Sequence, residues 1–158
     1  TALQLAEAYA VLGSGGMKRQ VSLLKREQVP DGQQIVDPSI ARDVQDMLAG
    51  VTSKGGTGTK ANTRYYSVSG KTGTSHKVGR GGYLSGHYMS LFAGFAPNDN
   101  PRLVAVIIID DPKGKEYYGG EVAAPVFAEI MSNSLRMMNV APDKAPEKSV
   151  ALSMRGGW

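Results

Sequence analysis

Residues 67–74 read Ser-Val-Ser-Gly-Lys-Thr-Gly-Thr, and the prediction of the fold depends on them more than on any other segment. They end a run, Tyr65–Thr74, that we predict to be extended, and lysine and threonine are favoured at exposed sheet edges. An edge strand beside a cleft offers a cation, hydroxyl groups and free backbone amides to a small ligand that carries a carboxylate. Gly73 removes a side chain where such a ligand would pass close to the backbone. The segment therefore indicates either a carboxylate-binding edge strand or a polar edge without a ligand.

The charge around this segment is one-sided. The 158 residues carry a formal net charge of +4, but no acidic residue occurs between Asp46 and Asp99. Such a stretch suits a small anionic ligand, an anionic polymer or a solvated basic loop. Because the Gly-rich composition matches none of the helical or aromatic-sheet nucleic-acid readers, we predict no nucleic-acid partner, and a non-catalytic module for an anionic polymer stays an alternative. The cations of the stretch are Lys54, Lys60, Arg64, Lys71, Lys77 and Arg80.

Two helices are predicted before the segment. Thr1 and Gln4 have the spacing of a capping box at the start of the first helix, which covers residues 3–12. Asp37 caps the second helix and Pro38 occupies its first position, where a missing N–H costs nothing. The first helix is predicted to end at Gly13, and the second near Lys54-Gly55-Gly56. Between the two helices we predict an extended stretch around Gln20–Leu24.

Two strands and a third helix are predicted after the segment. Met89–Phe95 and Leu103–Ile109 are the strands, and the turn residues at 98–100 predict that they are antiparallel neighbours. The unbroken apolar run Leu103–Ile109 is typical of a central strand that is covered on both faces. Pro125 begins the third helix, whose apolar stripe should lie on the sheet: Val126, Phe127, Ile130, Met131, Leu135 and Met138.

Several kinds of site are not predicted. The chain has no Cys and two His, so we expect no thiol nucleophile, no zinc knuckle and no metal centre. Gly70-Lys71-Thr72 resembles the end of a phosphate-binding loop, but Tyr65 stands where that loop needs glycine, and no cofactor is predicted. Ser22 and Lys25 have serine-x-x-lysine spacing, yet in an extended segment their side chains point to opposite faces.

Several motifs in order carry a family resemblance. The chain resembles the C-terminal part of class B penicillin-binding proteins, and more narrowly the division-specific peptidoglycan transpeptidases of the penicillin-binding protein 3 group. The resemblance covers residues 1–142 and implies an α+β fold of the penicillin-binding-protein and serine beta-lactamase type, here its C-terminal half with three antiparallel strands and flanking helices. Its motifs are Leu3–Ala10, Gly55–Gly58, Lys71–Val78, Ser90–Pro97, Tyr117–Gly120 and Ala124–Phe127.

The resemblance implies an acyl-serine mechanism. Such enzymes cross-link stem peptides ending in D-Ala-D-Ala, and beta-lactams bind at the same serine. Three motifs build the site: serine-x-x-lysine at a helix start, serine-x-asparagine on a loop, and lysine-threonine-glycine on the edge strand. Only the third occurs here in the right context, so we expect the nucleophile to lie in an upstream half of the domain and this chain alone to be inactive. A serine beta-lactamase or a D,D-carboxypeptidase of the same superfamily is the alternative enzyme.

The resemblance also assigns roles residue by residue. Lys71 would polarise the site, and the backbone amide of Thr74 would be one oxyanion-hole donor. The residues expected to bind substrate or beta-lactam are Thr72, Gly73, Thr74, Tyr88, Tyr117, Tyr118 and Gly119, with the tyrosines as an aromatic wall or, alternatively, as surface residues flanking a turn. The role of His76 is left open.

The resemblance further implies the setting of the chain. The upstream half of the domain, a peptidoglycan stem peptide or beta-lactam, and divisome membrane proteins would be its partners. Its location would be the periplasmic part of an inner-membrane-anchored protein. Residues 1–140 would form the half-domain, and residues 141–158, with two prolines and scattered charges, a flexible tail.

Overall fold

The structure is a computed structural model that describes residues 1–144. Helix α1, Ala2–Gly13, begins with the predicted capping box. The Gln4 amide donates to the Thr1 hydroxyl at 3.3 Å, while the Thr1 amino group donates to the Gln4 side chain at 2.9 Å. These two hydrogen bonds give partners to N–H groups that the first turn of a helix otherwise leaves unpaired. The prediction of the first helix is therefore confirmed.

The extended stretch predicted around Gln20–Leu24 is wrong. A small antiparallel pair forms instead from β1, Met17–Arg19, and β2, Gly32–Gln34. Residues 20–22 pair with no strand and the chain bends at residues 23 and 24, where the Ser22 hydroxyl donates to the Leu24 carbonyl at 2.8 Å. Leu24 is 82% exposed, so no burial holds this segment extended.

Helix α2, Pro38–Thr52, has the predicted start. The Asp37 carboxylate accepts from the Ser39 amide at 2.8 Å, and Pro38 occupies the first turn. The helix packs on the sheet through Gln45 and Thr52, whose hydroxyl donates to the Val68 carbonyl at 2.7 Å. A 3₁₀ turn, Thr59–Ala61, follows it.

The main sheet has the strand order β3-β4-β5, all antiparallel. β3 spans Ser69–Gly79, β4 spans Gly82–Ala96 and β5 spans Leu103–Asp110. The predicted antiparallel connection at residues 98–100 is confirmed. The predicted central position of Leu103–Ile109 is wrong, since β4 is central and β5 lies at the edge of the described sheet.

Helices on both faces explain why an edge strand carries a fully apolar run. α1 ends against one face, where Gly13 lies beside Phe95, and helix α4, Ala124–Met137, covers the other. On that second face the rings of Phe92 and Phe127 are 4.7 Å apart. Both α1 and α4 contact β5, and Leu103, Ala105, Ile107 and Ile109 pack against the core, although Ile108 is 40% exposed and only one edge of the strand is paired.

The α4 stripe is partly as predicted. Phe127, Met131 and Leu135 are buried at i, i+4 spacing against the sheet. Val126, Ile130 and Met138 are 38%, 46% and 46% exposed, because they lie around the flank of the helix. A short helix α3, Gly119–Val122, precedes α4 and was not predicted.

The described part of the tail is bonded to the body. Asp143 accepts from the Ser67 amide at 2.9 Å, and the Lys144 amide donates to the Tyr65 carbonyl at 3.2 Å. The proposed division at residue 140 stays a prediction, and residues 145–158 lie outside the described residues. No helix among residues 1–144 has both the length and the apolar character needed to cross a membrane.

Candidate active site

The Lys-Thr-Gly-Thr segment lies on β3, which has a strand partner on only one side within the described sheet. Thr72 faces Phe92 on β4, and Thr74 faces Ser90. Ser69 and Gly70, at the start of β3, are buried and hold the strand in place, while Lys71 and Thr74 are exposed. The strand therefore presents its polar groups to solvent from a fixed base.

A hydroxyl network surrounds Thr72. The Lys71 ammonium donates to the Thr72 hydroxyl at 3.0 Å and to the Thr72 carbonyl at 3.2 Å. The hydroxyl of Thr57 lies 3.2 Å from that of Thr72. Thr57 was not predicted as a site residue, since a Gly-Thr loop does not indicate which strand it will face. Because Lys71 fills an acceptor position of Thr72, the Thr72 proton is free to point to Thr57 or to a ligand.

Thr74 is bonded to the loop that follows β5. Its hydroxyl accepts from the Gly119 amide at 2.9 Å, which leaves its own proton available to a ligand. A Cβ at Gly119 would lie 2.3 Å from the Leu91 carbonyl oxygen and 2.5 Å from that of Gly73, so only glycine fits there. A Cβ at Gly73 would meet Leu91 Cγ at 2.8 Å, so packing alone restricts that position as well.

The three predicted tyrosines come together beside Thr74. The rings of Tyr88 and Tyr117 stack at 3.9 Å with an interplanar angle of 12°, and Tyr118 lies 4.4 Å from Tyr117. The hydrogen bond that the two hydroxyls share raises the pKa of the Tyr118 phenol above its usual value. His76 packs on the opposite side of Tyr88 at 4.6 Å. The rings of Tyr88 and Tyr117 are therefore stacked and Tyr118 is tilted against Tyr117, while a role of this aromatic row as a wall for the acyl group stays a prediction.

Ser90 joins this row to the edge strand. It is fully buried opposite Thr74 and its hydroxyl donates to the Tyr117 carbonyl. Ser90 was not predicted as a site residue, although it lies in a segment that carried the resemblance. Its burial between apolar neighbours could not be foreseen before the register of β4 was known.

Two cations of the acid-free stretch form ion pairs with acidic residues from other parts of the chain. Lys60 pairs with Glu121, and Lys77 pairs with Asp110 at 2.8 Å. The hydrogen bond that the Lys77 ammonium donates to the Asp110 carboxylate raises the pKa of Lys77. Among residues 1–144, Lys71 has no ion pair. Acidic residues from outside the stretch therefore neutralise part of its charge, and Lys71 is the cation of the edge strand that has no ion pair within the described residues.

A helix-covered antiparallel sheet with Lys-Thr-Gly-Thr on its edge strand and an aromatic row beside it defines a class, the penicillin-recognising acyl-transfer domains. The chain belongs to the family described as the penicillin binding protein transpeptidase domain, whose model matches residues 1–132. It is similar to a probable peptidoglycan D,D-transpeptidase PenA of Neisseria flavescens, with 42% identity over 142 residues, 90% of this chain and 36% of the relative.

Two further similarities agree with this family. The peptidoglycan D,D-transpeptidase FtsI of Escherichia coli strain K12 is 43% identical over 143 residues, 90% of this chain and 24% of the relative. The apo TP domain of Burkholderia pseudomallei penicillin-binding protein 3 superposes with a TM-score of 0.84 at 37% identity, over 91% of this chain and 44% of that one. The predicted α+β fold is thereby confirmed, and the chain spans less than half of each of these proteins.

Proposed function

We propose that this chain is part of a peptidoglycan D,D-transpeptidase that cross-links stem peptides during septal wall synthesis and binds beta-lactams at the same site. The observation that carries the proposal is the edge strand, on which the hydroxyls of Thr72 and Thr74 each accept a hydrogen bond from within the chain. Both hydroxyl protons are thus available to one carboxylate. The names of the relatives, which are D,D-transpeptidases, support the reaction class.

The reaction is acyl transfer through a serine. The serine oxygen attacks the carbonyl of the penultimate D-Ala, the terminal D-Ala leaves with a proton, and an amine of a second stem peptide then displaces the serine. The terminal carboxylate of the donor peptide, or the carboxylate of a beta-lactam, would be bound by the two threonine hydroxyls. Lys71 lies beside them and has no ion pair within residues 1–144, and it would add charge attraction. The serine itself would come from the upstream half of the domain.

The backbone of the strand supplies the second part of the mechanism. The Thr74 amide would donate to the developing oxyanion together with the amide of the nucleophile. Removing one such donor typically lowers the rate by about 100- to 1,000-fold. Gly73 directly precedes this amide, and it has no side chain that would collide with Leu91, which packs against this position.

The tyrosine row would bind the acyl group. Tyr88 and Tyr117 present stacked ring surfaces, and Tyr118, 55% exposed, extends the row into solvent. Flat aromatic surfaces of this kind bind apolar groups with little loss of side-chain entropy. Gly119 contributes indirectly, because its amide orients the Thr74 hydroxyl next to this wall.

The partners and the setting belong to the same proposal. Apolar side chains on α1 and α2 are open to solvent, with Leu3 53%, Ile40 55% and Met47 71% exposed. An upstream half of the domain would cover such a surface. We further propose that the complete protein is periplasmic, anchored in the inner membrane and associated with divisome membrane proteins.

Labelling with a fluorescent penicillin tests the proposal. We expect the complete protein to become covalently labelled, and the 158-residue chain alone to remain unlabelled. Lys71→Ala in the complete protein should slow labelling by about 100-fold or more, since it removes charge stabilisation at the reacting centre. Lys54→Ala, in an exposed loop of the same acid-free stretch, is the matched control and should label at the normal rate. Labelling of any serine in the isolated chain would contradict the assignment.

A further inference from the structure

Ser90 carries a buried hydroxyl that the mechanism above does not use. It lies in the otherwise apolar stretch 89–96 of β4 and is fully buried. Its side chain shares a face of the sheet with that of Phe92, two residues further on, which packs on Phe127 of α4. A hydroxyl buried in such surroundings costs free energy unless it has a hydrogen-bond partner, and Ser90 has one, because it donates to the Tyr117 carbonyl.

This hydrogen bond lies where the loop after β5 returns to the sheet. Among residues 1–144, residues 112–117 make no hydrogen bond between backbone groups, and residues 113–116 are exposed. Two contacts hold the chain at Tyr117: its carbonyl accepts from Ser90, and its ring stacks on Tyr88 at 3.9 Å. The stack orients the side chain, whereas the hydrogen bond fixes the backbone that continues to Gly119.

Two residues further on, the same backbone reaches the edge strand. The Gly119 amide donates to the Thr74 hydroxyl at 2.9 Å. Ser90 and Thr74 are cross-strand partners on β4 and β3, so the segment Tyr117–Gly119 crosses both strands and is bonded to each. A Cβ at Gly119 would lie 2.3 Å from the Leu91 carbonyl oxygen, so the segment lies directly on the sheet.

The segment links the buried hydroxyl to the direction of the Thr74 proton. Because the Thr74 hydroxyl accepts from Gly119, its own proton can be donated to a carboxylate. Consecutive Cα atoms are about 3.8 Å apart, so Gly119 is only two such steps from the carbonyl that Ser90 holds. Once that carbonyl is released, the Gly119 amide can move away from Thr74, and the Thr74 hydroxyl can rotate to other partners.

We propose that Ser90 is a positioning residue for recognition of the substrate carboxylate. Its hydroxyl holds the segment Tyr117–Gly119 on the sheet, so that the Gly119 amide directs the Thr74 proton outward. The inference rests on the proposed function, because it concerns catalysis only if Thr74 binds that carboxylate. Ser90 is fully buried and acts through the segment, not through contact with the substrate.

A double-mutant cycle in the complete protein tests the link between Ser90 and Thr74. The probe is 6-aminopenicillanic acid, which has the carboxylate but no acyl group that would reach the tyrosine row. We expect Ser90→Ala to lower its acylation rate constant by about 3- to 10-fold, the effect of one neutral hydrogen bond. In a Thr74→Val background, which has no hydroxyl to orient, Ser90→Ala should lower the rate constant by less than about 2-fold. Equal effects of Ser90→Ala in both backgrounds would overturn the inference.

Ser69→Ala is the matched control for the loss of a buried hydroxyl. Ser69 is likewise fully buried on the same hairpin, and its hydroxyl donates to the Gln45 carbonyl at 3.3 Å and to the Asn98 side chain. The variant should lower the free energy of unfolding, because a buried hydrogen bond is lost, and leave the acylation rate constant nearly unchanged. Equal slowing in Ser69→Ala and Ser90→Ala would mean that any buried polar loss in the sheet has this effect, which contradicts the role of Ser90.

Hydrogen exchange at the Gly119 amide measures the same link without catalysis. In the complete, folded protein, Ser90→Ala should lower the protection of this amide by about 10-fold or more, and Ser69→Ala should change it by less than about 2-fold. Unchanged protection in Ser90→Ala would mean that the ring stack with Tyr88 alone holds the segment, and would refute the inference while normal acylation leaves the proposed function standing. If no beta-lactam acylates the complete protein, the proposed function fails, and exchange at Gly119 alone decides whether Ser90 positions the segment.

Discussion

The two halves of the β3–β4 hairpin share one hydrogen-bonded ladder but have opposite surroundings. In the half nearest the helices, residues 92–96 of β4 are all buried, and Ser69 and Gly70 of β3 are buried beside them. In the outer half, the arm formed by residues 75–79 and 82–89, most side chains are exposed on both faces of the strands. Pairing alone therefore does not explain the stability of the hairpin.

The comparison shows what holds the candidate site. Lys71–Thr74 lie where the buried half passes into the arm, so one end of the segment is fixed by packing and the other is open to a ligand. The helix-covered core supplies rigidity through burial, while the aromatic row and the charged contacts order the base of the arm. A site needs a rigid base and an accessible edge, and this junction provides both.

Truncating the core beneath the buried half should have the largest effect. Phe127 is fully buried and packs on Phe92, so Phe127→Ala removes the transfer energy of the ring and leaves a cavity. We expect a loss of about 3–5 kcal/mol in the free energy of unfolding. Urea unfolding of the complete protein measures this, with Val126→Ala, on the exposed flank of the same helix, as a control that should cost about 1 kcal/mol or less. Equal effects of the two variants would break the contrast between core and flank.

The sequence predicted the buried half better than the arm. Helices α1, α2 and α4 were found from caps and prolines, because these features act within one turn of the chain. The arm was not predicted, because its glycines, polar residues and isolated tyrosines show no continuous alternation of polar and apolar residues. The pairing of β3 with β4 extends to Gly79 and Gly82, and only the structure shows this. The central position expected of β5 was wrong for the described sheet. An unbroken apolar run indicates that both faces of a strand are covered, and it does not indicate whether both edges are paired.

The candidate site was predicted where a motif is continuous in sequence. Lys71, Thr72 and Thr74 follow one another on β3, and the tyrosines were identified through the resemblance. Thr57 and Ser90 were missed, since their contacts join residues 15 and 27 positions apart and depend on the packing of loops. Patterns in the sequence thus located the exposed polar groups of the candidate site, but not the side chains that they contact.

Gly119 connects the two halves, and its substitution should have an intermediate effect. A Cβ there would lie 2.3 Å from the Leu91 carbonyl oxygen, so Gly119→Ala must push α3 away from the sheet and break the bond to Thr74. We expect beta-lactam acylation to fall by about 10-fold, because the hydrogen bond that orients the Thr74 hydroxyl toward a carboxylate is lost, with a stability loss of about 1–3 kcal/mol.

Gly114 supplies the control for this substitution. It lies in the same loop, and a Cβ there would have its nearest neighbour at 3.9 Å. Gly114→Ala should therefore leave both the acylation rate and the unfolding midpoint nearly unchanged. If Gly119→Ala acylates as fast as Gly114→Ala, the bond between the loop and Thr74 does not orient the site.

The smallest effect is expected in the outer part of the arm. Tyr83 is 79% exposed, and its ring centroid lies 6.1 Å from that of His76, which packs on Tyr88 of the row. Tyr83→Ala should change the free energy of unfolding by no more than about 0.5 kcal/mol, because almost no apolar surface returns to water. Tyr66, 1% exposed with its hydroxyl bonded to the Val140 carbonyl at 2.8 Å, is the buried counterpart, and Tyr66→Ala should cost several-fold more in the same urea experiment. A large loss of unfolding free energy in Tyr83→Ala would mean that the end of the arm packs on a further surface. The contrast between a buried half and an exposed half would then not hold at the end of the arm.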